Sequence, residues 1–146
     1  MTHDRLYDMP LLPHLVIDGL NRYDDRPFLF LGDTVITYAE LRAQTSRFAQ
    51  ALQSKGIGKG SRTAVLSANR PEVLYHLCAN TVLGSCNTPP HPLGSAEDQA
   101  YVLEDAEVET LVYDAAYFGQ RAAELRERVP GLKNLLGFGP SDAGED

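Results

Sequence analysis

Four residues with metal-binding or nucleophilic side chains lie close together in the sequence: His76, Cys78, Cys86 and His91. Thiolates and imidazoles are the ligands that structural zinc sites use, so this segment raises the hypothesis of a metal centre. His76 and Cys78, however, are two positions apart in a predicted helix, and their side chains point about 200° apart. Cys86 and His91 remain, and two ligands do not make a structural zinc site. We therefore expect no metal site here.

The predicted helix also assigns these side chains to faces. Val73, Leu74, Leu77 and Cys78 form an apolar stripe, which predicts that Cys78 lies in the core and that His76 lies on the opposite side.

The segment "KGIGKGSR" at residues 55–62 resembles a phosphate-binding loop only superficially. In a P-loop, Gly-Lys is followed directly by Ser or Thr and the loop leads from a strand into a helix. Here Lys59 is followed by Gly60, and the segment leaves a helix and enters a strand. Gly56, Gly58 and Gly60 fail the dinucleotide fingerprint for the same reason. We interpret the segment as the end of a helix followed by a turn.

Other reaction centres are not apparent. The sequence has no G-x-S-x-G nucleophile elbow, and no histidine can be paired with a nucleophile and a carboxylate from sequence alone. Acids such as Glu97, Asp98, Glu104 and Asp105 occupy positions typical of helix capping and of solvated helix faces.

Composition excludes several classes of protein. The chain has 146 residues, of which 43% are hydrophobic and 23% charged, as in a single soluble globular domain. A net charge of −7 argues against nucleic-acid binding, which needs clustered Lys and Arg. Neither a run of about 18 apolar residues nor a signal peptide is recognisable. Cys78 and Cys86 make no disulfide framework, so we predict free, buried thiols and a cytoplasmic location.

Local signals predict alternating helices and strands. Thr37 and Glu40 have the spacing of a capping box, as do Asn69 and Glu72, and Ser95 is a predicted N-cap. Gly32 and Asp33 mark a hairpin turn. The predicted helices cover residues 8–23, 37–56, 69–84, 94–106 and 115–130; the predicted strands cover residues 28–37 (the hairpin), 62–68, 86–88, 109–114 and 134–139; residues 139–146 are predicted to be a flexible acidic tail.

This order predicts an α/β fold: a mostly parallel sheet with helices on both faces, preceded by an antiparallel β-hairpin. Short connections between the elements favour right-handed crossovers.

The order of the motifs resembles the N-terminal part of AMP-forming acyl-CoA synthetases, and within the adenylate-forming superfamily it is most similar to fatty-acid–CoA ligases. The resemblance covers about residues 23–115. Its marks are "TYAEL", "GIGKGSR" before the first sheet strand, "NRPE" opening the next helix, "LG" closing it, and a Pro-rich connector before "YVLED". Ser61 stands where such enzymes commonly have Asp, Pro90 where they have Leu, and His91 where they have Asn. These departures bear on the substrate class.

The resemblance implies a full-length enzyme that joins a fatty or other carboxylic acid to ATP and then transfers the acyl group to CoA, with Mg²⁺ as cofactor. It also implies that the phosphate loop, the adenine-binding motifs and the catalytic lysine lie beyond residue 146. Residues 1–146 would then be an N-terminal subdomain fragment that supplies scaffold, contains no catalytic residue and binds none of these cofactors tightly. The alternative is a non-catalytic α/β interaction or dimerisation module, and a homo-oligomer is compatible with both.

One residue of this segment is a candidate for substrate contact. The connector between the weak strand at residues 86–88 and the helix that begins after Ser95 contains three prolines, which fix φ and withhold backbone donors. Ligands of open parallel sheets lie at the carboxyl ends of the strands. We therefore expect His91 to border the substrate pocket of the full-length enzyme.

Overall fold

The computed structural model describes residues 11–139. Five helices and six strands follow one another in this range: α1 (Leu12–Arg22), β1 (Pro27–Leu31), β2 (Thr34–Thr37), α2 (Tyr38–Ser54), β3 (Arg62–Leu66), α3 (Pro71–Leu83), β4 (Cys86–Asn87), α4 (Ala96–Asp105), β5 (Thr110–Asp114), α5 (Ala115–Arg128) and β6 (Asn134–Phe138). The predicted tail lies outside the described residues, apart from Gly139.

Strands β3 to β6 form a parallel sheet in the order β4-β3-β5-β6, and β1 pairs with β2 in a separate antiparallel hairpin. The predicted α/β fold class and the N-terminal hairpin are therefore confirmed.

Both faces of the parallel sheet are covered, as predicted. Successive residues of a strand point to opposite faces, so Ala64 and Leu66 of β3 join one core and Val65 joins the other. The first face packs against α4 and α5, and its core includes Leu66, Leu103, Leu111, Tyr113 and Leu125. The second face packs against α2 and α3, and its core includes Leu52, Val65, Ala79, Val112 and Phe138. Because β3 and β5 are buried on both faces, their sequences are continuous apolar runs rather than alternating ones.

The hairpin and α1 form a third cluster against α2 and α3, centred on Leu20, Ile36, Leu41 and Tyr75. The leucines in and next to α1 differ in burial. Leu20 is 6% exposed, whereas Leu11, Leu12 and Leu15 are each more than half exposed.

The local capping signals had mixed outcomes. Thr37 and Glu40 form the predicted capping box: the Thr37 hydroxyl accepts from the Glu40 amide at 3.2 Å, and the Glu40 carboxylate accepts from the Thr37 amide at 2.7 Å. Such a box stabilises a helix by about 1 kcal/mol. Ser95 caps α4 as predicted by accepting from the Asp98 amide.

The predicted cap of α3 is wrong. The N-cap position of α3 is Arg70 rather than Asn69, and its side chain makes no capping bond. Pro71 is the first helical residue, where its missing N–H leaves no orphan donor. The Glu72 side chain, free of a capping role, pairs with Arg70 instead. The predicted end of the helix is confirmed, because Gly84 has a φ of +70° and closes α3 in the left-handed conformation.

Candidate functional site

The carboxyl edge of the parallel sheet is the candidate functional site. From β3 the chain crosses to β4 on one side, and from β5 it crosses to β6 on the other side. Such a reversal opens a crevice between the two central strands at their carboxyl ends, where doubly wound folds bind ligands. In this protein the crevice lies between the residues that follow β3 and the last residue of β5.

A cluster of charged side chains fills this crevice. Asp114 is 0% exposed, and its carboxylate accepts from Arg70 Nη1 at 3.0 Å and from the Ala116 amide at 3.1 Å. Arg70 also forms a bidentate pair with Glu72, at 2.9 and 3.2 Å. Its guanidinium carbon lies 5.5 Å from the ring centre of Phe138. One arginine therefore connects the carboxyl ends of β3, β5 and β6.

The charges of this cluster decide what it can bind. The hydrogen bonds that Arg70 donates to Glu72 raise the pKa of Arg70, with a smaller contribution from the bond to Asp114, so the guanidinium stays charged. Two carboxylates nevertheless outnumber the one cation. The cluster therefore has no spare positive charge for a phosphate or carboxylate ligand, and its role here is to join the three strand ends.

His91 lies at the same edge of the sheet, in the connector (residues 88–95) that follows β4. Its side chain is exposed. The ring Nδ1 accepts from the Leu93 amide at 3.2 Å, and the His91 carbonyl accepts from the Gly94 amide at 3.0 Å. The placement at the strand end agrees with the expectation for His91, but the substrate contact itself stays a prediction.

Sequence reasoning missed the two side chains that contact this connector most closely. Gln99 of α4 is 1% exposed, and its Nε2 donates to the His91 carbonyl at 2.8 Å. Arg121 of α5 donates to Gln99 Oε1 at 2.8 Å and to the Gly94 carbonyl at 3.1 Å. A signal was present, because Gln99 is one helical turn before Leu103 and so lies on the buried face of α4.

The face predicted for His76 is wrong. His76 is 0% exposed, and Asn80 Nδ2 lies 2.9 Å from its Nε2 and donates to its backbone carbonyl at 2.8 Å. The Asn80 side-chain oxygen accepts from Thr63 Oγ1 at 2.8 Å and from the Ser85 hydroxyl. This group, the Asn80 cluster (Thr63, His76, Asn80 and Ser85), ties α3 to β3 and to the turn before β4.

Burial without a charged partner lowers the pKa of His76 to about 4. The ring is therefore neutral at pH 7. With Asn80 Nδ2 as the donor in both contacts, the neutral ring accepts at Nε2 and carries its proton on Nδ1, which is buried without a hydrogen-bond partner among the described residues.

The two cysteines are free thiols in different environments. Cys78 is half-buried, and burial raises the pKa of its thiol. Cys86 is exposed, so the expectation that both thiols are buried is wrong for Cys86. Across residues 11–139, no three His, Cys, Asp or Glu side chains are grouped so as to hold a metal ion.

The glycine-rich segment has the geometry of a turn. Gly56 and Gly60 have φ values of +78° and +83°, and the Ile57 amide returns to the Leu52 carbonyl at the end of α2. The Gly60 amide donates to the Gly84 carbonyl. The amides of Gly56, Ile57, Gly58, Gly60 and Ser61 all donate within the protein, so residues 55–62 do not fit a nucleotide phosphate.

Two open grooves flank the candidate site. The larger, with a volume of about 410 Å³, lies between α2 and the edge strand β6 and is lined mainly by apolar side chains, among them Phe48, Leu52, Leu136 and Phe138. The smaller, of about 260 Å³, lies between the hairpin and the start of α3 and includes Arg70. His91 lines neither groove.

The architecture defines a doubly wound α/β unit with its candidate site at the carboxyl edge of the sheet. Residues 18–145 match the family described as AMP-binding enzyme. The chain belongs to this family, and the resemblance inferred from its motifs is confirmed.

Individual relatives agree with this assignment. The chain is 42% identical over 128 residues to the medium/long-chain-fatty-acid–CoA ligase FadD8 of Mycobacterium tuberculosis; the match covers 87% of this chain and 22% of that ligase. It is 28% identical to the 3-hydroxybenzoate–CoA ligase of Aromatoleum, over 73% of this chain and 20% of the relative. The amide bond synthetase McbA of Marinactinospora thermotolerans has the same fold, with a TM-score of 0.81 and 26% identity over 92% of this chain and 27% of the synthetase. The chain thus spans about a fifth to a quarter of the length of these relatives.

None of the helices within residues 11–139 has the length and apolar character needed to cross a membrane.

Proposed function

We propose that this chain is the N-terminal scaffold of an AMP-forming acid–CoA ligase that acts on fatty acids. The observation that carries the proposal is the family match over residues 18–145, together with 42% identity to a fatty-acid–CoA ligase. In this proposal residues outside the described range bind ATP, Mg²⁺ and CoA, because the described residues form no phosphate cradle and the cation at the sheet edge is already paired with carboxylates.

The chemistry explains why such a scaffold must be rigid. A carboxylate is a poor electrophile, and its activation requires that acid and nucleotide are held together in one orientation. The Arg70 pairs and the Asn80 cluster supply that rigidity, because they join the carboxyl ends of three strands and tie α3 to β3 and to the turn before β4. The scaffold contributes by positioning and leaves bond making to other residues.

The assignment is tested by product formation. The full-length protein, supplied with ATP, Mg²⁺, CoA and either octanoate, palmitate or benzoate, should form AMP and the CoA thioester in equal amounts with at least one fatty acid. A full-length protein that folds and binds ATP but forms no thioester with any of the three acids would contradict the proposal.

We also propose that His91 borders the acid-binding site of this ligase. Support comes from the exposed ring of His91, which lies at the same carboxyl edge of the sheet as the crevice between the two central strands. Truncation of a side chain that contacts substrate changes the specificity ratio between acids, typically by about tenfold. His91→Ala in the full-length enzyme should therefore alter the ratio of kcat/KM for octanoate and palmitate.

Lys133→Ala is the matched control for this change. Lys133 is also exposed, but it precedes β6 and pairs with Glu109 at the amino edge of the sheet, so its loss should leave the ratio unchanged. An acid preference and rate that are the same in His91→Ala and in the wild type would remove His91 from the substrate site.

A second candidate function is a non-catalytic interaction or dimerisation module. The open apolar groove between α2 and β6 favours it, since an exposed apolar surface promotes association. The coding sequence beyond codon 146 discriminates between the candidates. A downstream Ser/Thr/Gly-rich loop favours the ligase, and a native stop codon favours the module.

Light scattering of the purified chain would establish whether it is a homo-oligomer. Free thiols at Cys78 and Cys86 support a reducing compartment, the cytoplasm, as the location in either case.

A further inference from the structure

Residues 91–94 of the connector are held by side chains of two helices. Gln99 Nε2 donates to the His91 carbonyl at 2.8 Å and lies 3.4 Å from the Pro92 carbonyl. Arg121 Nη1 donates both to Gln99 and to the Gly94 carbonyl. Every carbonyl from His91 to Gly94, except that of Leu93, therefore faces a donor from this pair.

The inner side of the turn leaves little room for a side chain at position 94. A Cβ atom at Gly94 would lie 3.1 Å from the His91 carbonyl oxygen and 3.4 Å from Gln99 Cγ. The ring of His91 is held from the outer side by the Leu93 amide. Backbone, ring and helix thus define a single conformation for residues 91–94.

The choice of Gln at position 99 is informative in physical terms. The side chain is 1% exposed on the apolar face of α4, next to the core residue Leu103. Burial of an amide is unfavourable unless its hydrogen bonds are made, and an aliphatic side chain would satisfy the packing alone. A buried polar group whose bonds are all made contributes conformational specificity instead.

We propose that Gln99 and Arg121 are positioning residues that hold the connector in one conformation and thereby fix the His91 ring at the acid-binding site. The placement of the His91 ring at the acid-binding site rests on the proposed function, whereas the fixed conformation of the connector does not. Gln99 and Arg121 touch no substrate in this proposal. They act through the backbone of residues 91–94.

The geometric part is tested by amide hydrogen exchange on the 146-residue chain. Gln99→Met removes both contacts, whereas Gln99→Glu keeps the acceptor for Arg121 but cannot donate to the His91 carbonyl. Both variants, and Arg121→Ala, should exchange about tenfold faster in the connector, while the core of the sheet stays protected. Arg121→Ala leaves the apolar core untouched, so the test survives if either Gln99 variant fails to fold.

Arg128→Ala is the matched control. It removes the same group from the same helix, but the partner of Arg128 is Glu124 within α5, so exchange in the connector should not change. Connector exchange at the wild-type rate in Arg121→Ala and in whichever Gln99 variants fold would overturn the inference.

The functional part is tested in the full-length enzyme. Displacement of a positioned group by about 1 Å can cost up to about a hundredfold in rate. In the Gln99 and Arg121→Ala variants the connector remains attached at both ends, so we expect a smaller effect: KM for the acid should rise about tenfold, with KM for ATP unchanged. Arg121→Lys should restore part of this loss, because an ammonium can still donate to the Gly94 carbonyl. A uniform loss of kcat with an unchanged KM for the acid would indicate general damage and would overturn the positioning role.

The two arms separate the inference from the proposed function. Faster exchange with an unchanged KM for the acid would show that the connector does not border the acid, and it would overturn the functional part. A wild-type enzyme that forms no thioester would contradict the proposed function, and the exchange arm would still decide whether Gln99 and Arg121 hold the connector.

Discussion

Replacement of Arg70 by Met should lower the free energy of unfolding of the chain by about 4 kcal/mol. Met keeps an unbranched stem beside Phe138 but removes the guanidinium. The Asp114 carboxylate is 0% exposed and accepts from Arg70 and from the Ala116 amide. Without Arg70, only the second of these two hydrogen bonds would remain. Loss of the arginine is costly because the buried Asp114 charge is left uncompensated. Urea unfolding, followed by circular dichroism, measures the change.

The double variant Arg70→Met/Asp114→Asn tests the cause. A neutral Asn can still cap α5 through its side-chain oxygen and needs no cation, so the double variant should recover about 2 kcal/mol relative to Arg70→Met alone. Glu127→Ala, an exposed change on α5, is the control and should alter stability little. If the double variant is less stable than Arg70→Met, then Arg70 does not stabilise the protein through the charge of Asp114.

Acid should destabilise the protein through His76 well above the pH at which carboxylates titrate. The ordinary pKa of 6.5 applies to the unfolded chain, and burial lowers the pKa in the folded protein to about 4. Between these values the unfolded state binds more protons, so stability rises with pH. The contribution is complete above about pH 6.5 and is lost as the pH falls to about 4, with a total of about 3 kcal/mol.

The Asn80 contact disfavours the protonated ring in the same direction as burial does. A protonated Nε2 becomes a donor and faces the Asn80 Nδ2, which is also a donor. As the pH is lowered from 7 to 4.5, the free energy of unfolding should therefore fall steeply in the wild type and much less in His76→Leu. His91→Ala removes an exposed histidine and should keep the wild-type slope. Equal slopes in the wild type and in His76→Leu would show that His76 is not the titrating group.

Much of the fold was predictable because its signals are local. The apolar runs at β3 and β5, the Thr37–Glu40 box and the left-handed Gly84 each depend on residues within one turn or one strand. Their order was enough for an α/β fold with a parallel sheet.

The face of α3 was not predictable in the same way. Apolar residues surround this helix almost completely, and the stripe through Leu77 and Cys78 competes with one through Tyr75 and Ala79. In the structure the second stripe is buried, and His76 and Asn80 go into the interior with it, where the Asn80 amide contacts the His76 ring and backbone carbonyl. A pattern of apolarity cannot choose between two such faces without knowledge of the neighbouring elements.

The candidate site depended still more on long-range contacts. Arg70 and Asp114 are 44 positions apart in the chain, and they meet because β3 pairs with β5 rather than with β6. Strand order is not encoded in the local pattern of either strand. The same holds for Gln99 and Arg121, which belong to different helices, although the buried position of Gln99 was visible in the spacing of α4.

Acid-dependent exchange of labelled pyrophosphate into ATP is the most direct test of the claim that this segment is the scaffold of a ligase. The exchange reports formation of the acyl-adenylate alone and does not require CoA. We expect the full-length protein to catalyse exchange with octanoate or palmitate, and the 146-residue chain at the same concentration to catalyse none. Robust exchange by the 146-residue chain would contradict its role as a scaffold, and absence of exchange in the folded full-length protein with every acid would contradict the ligase assignment.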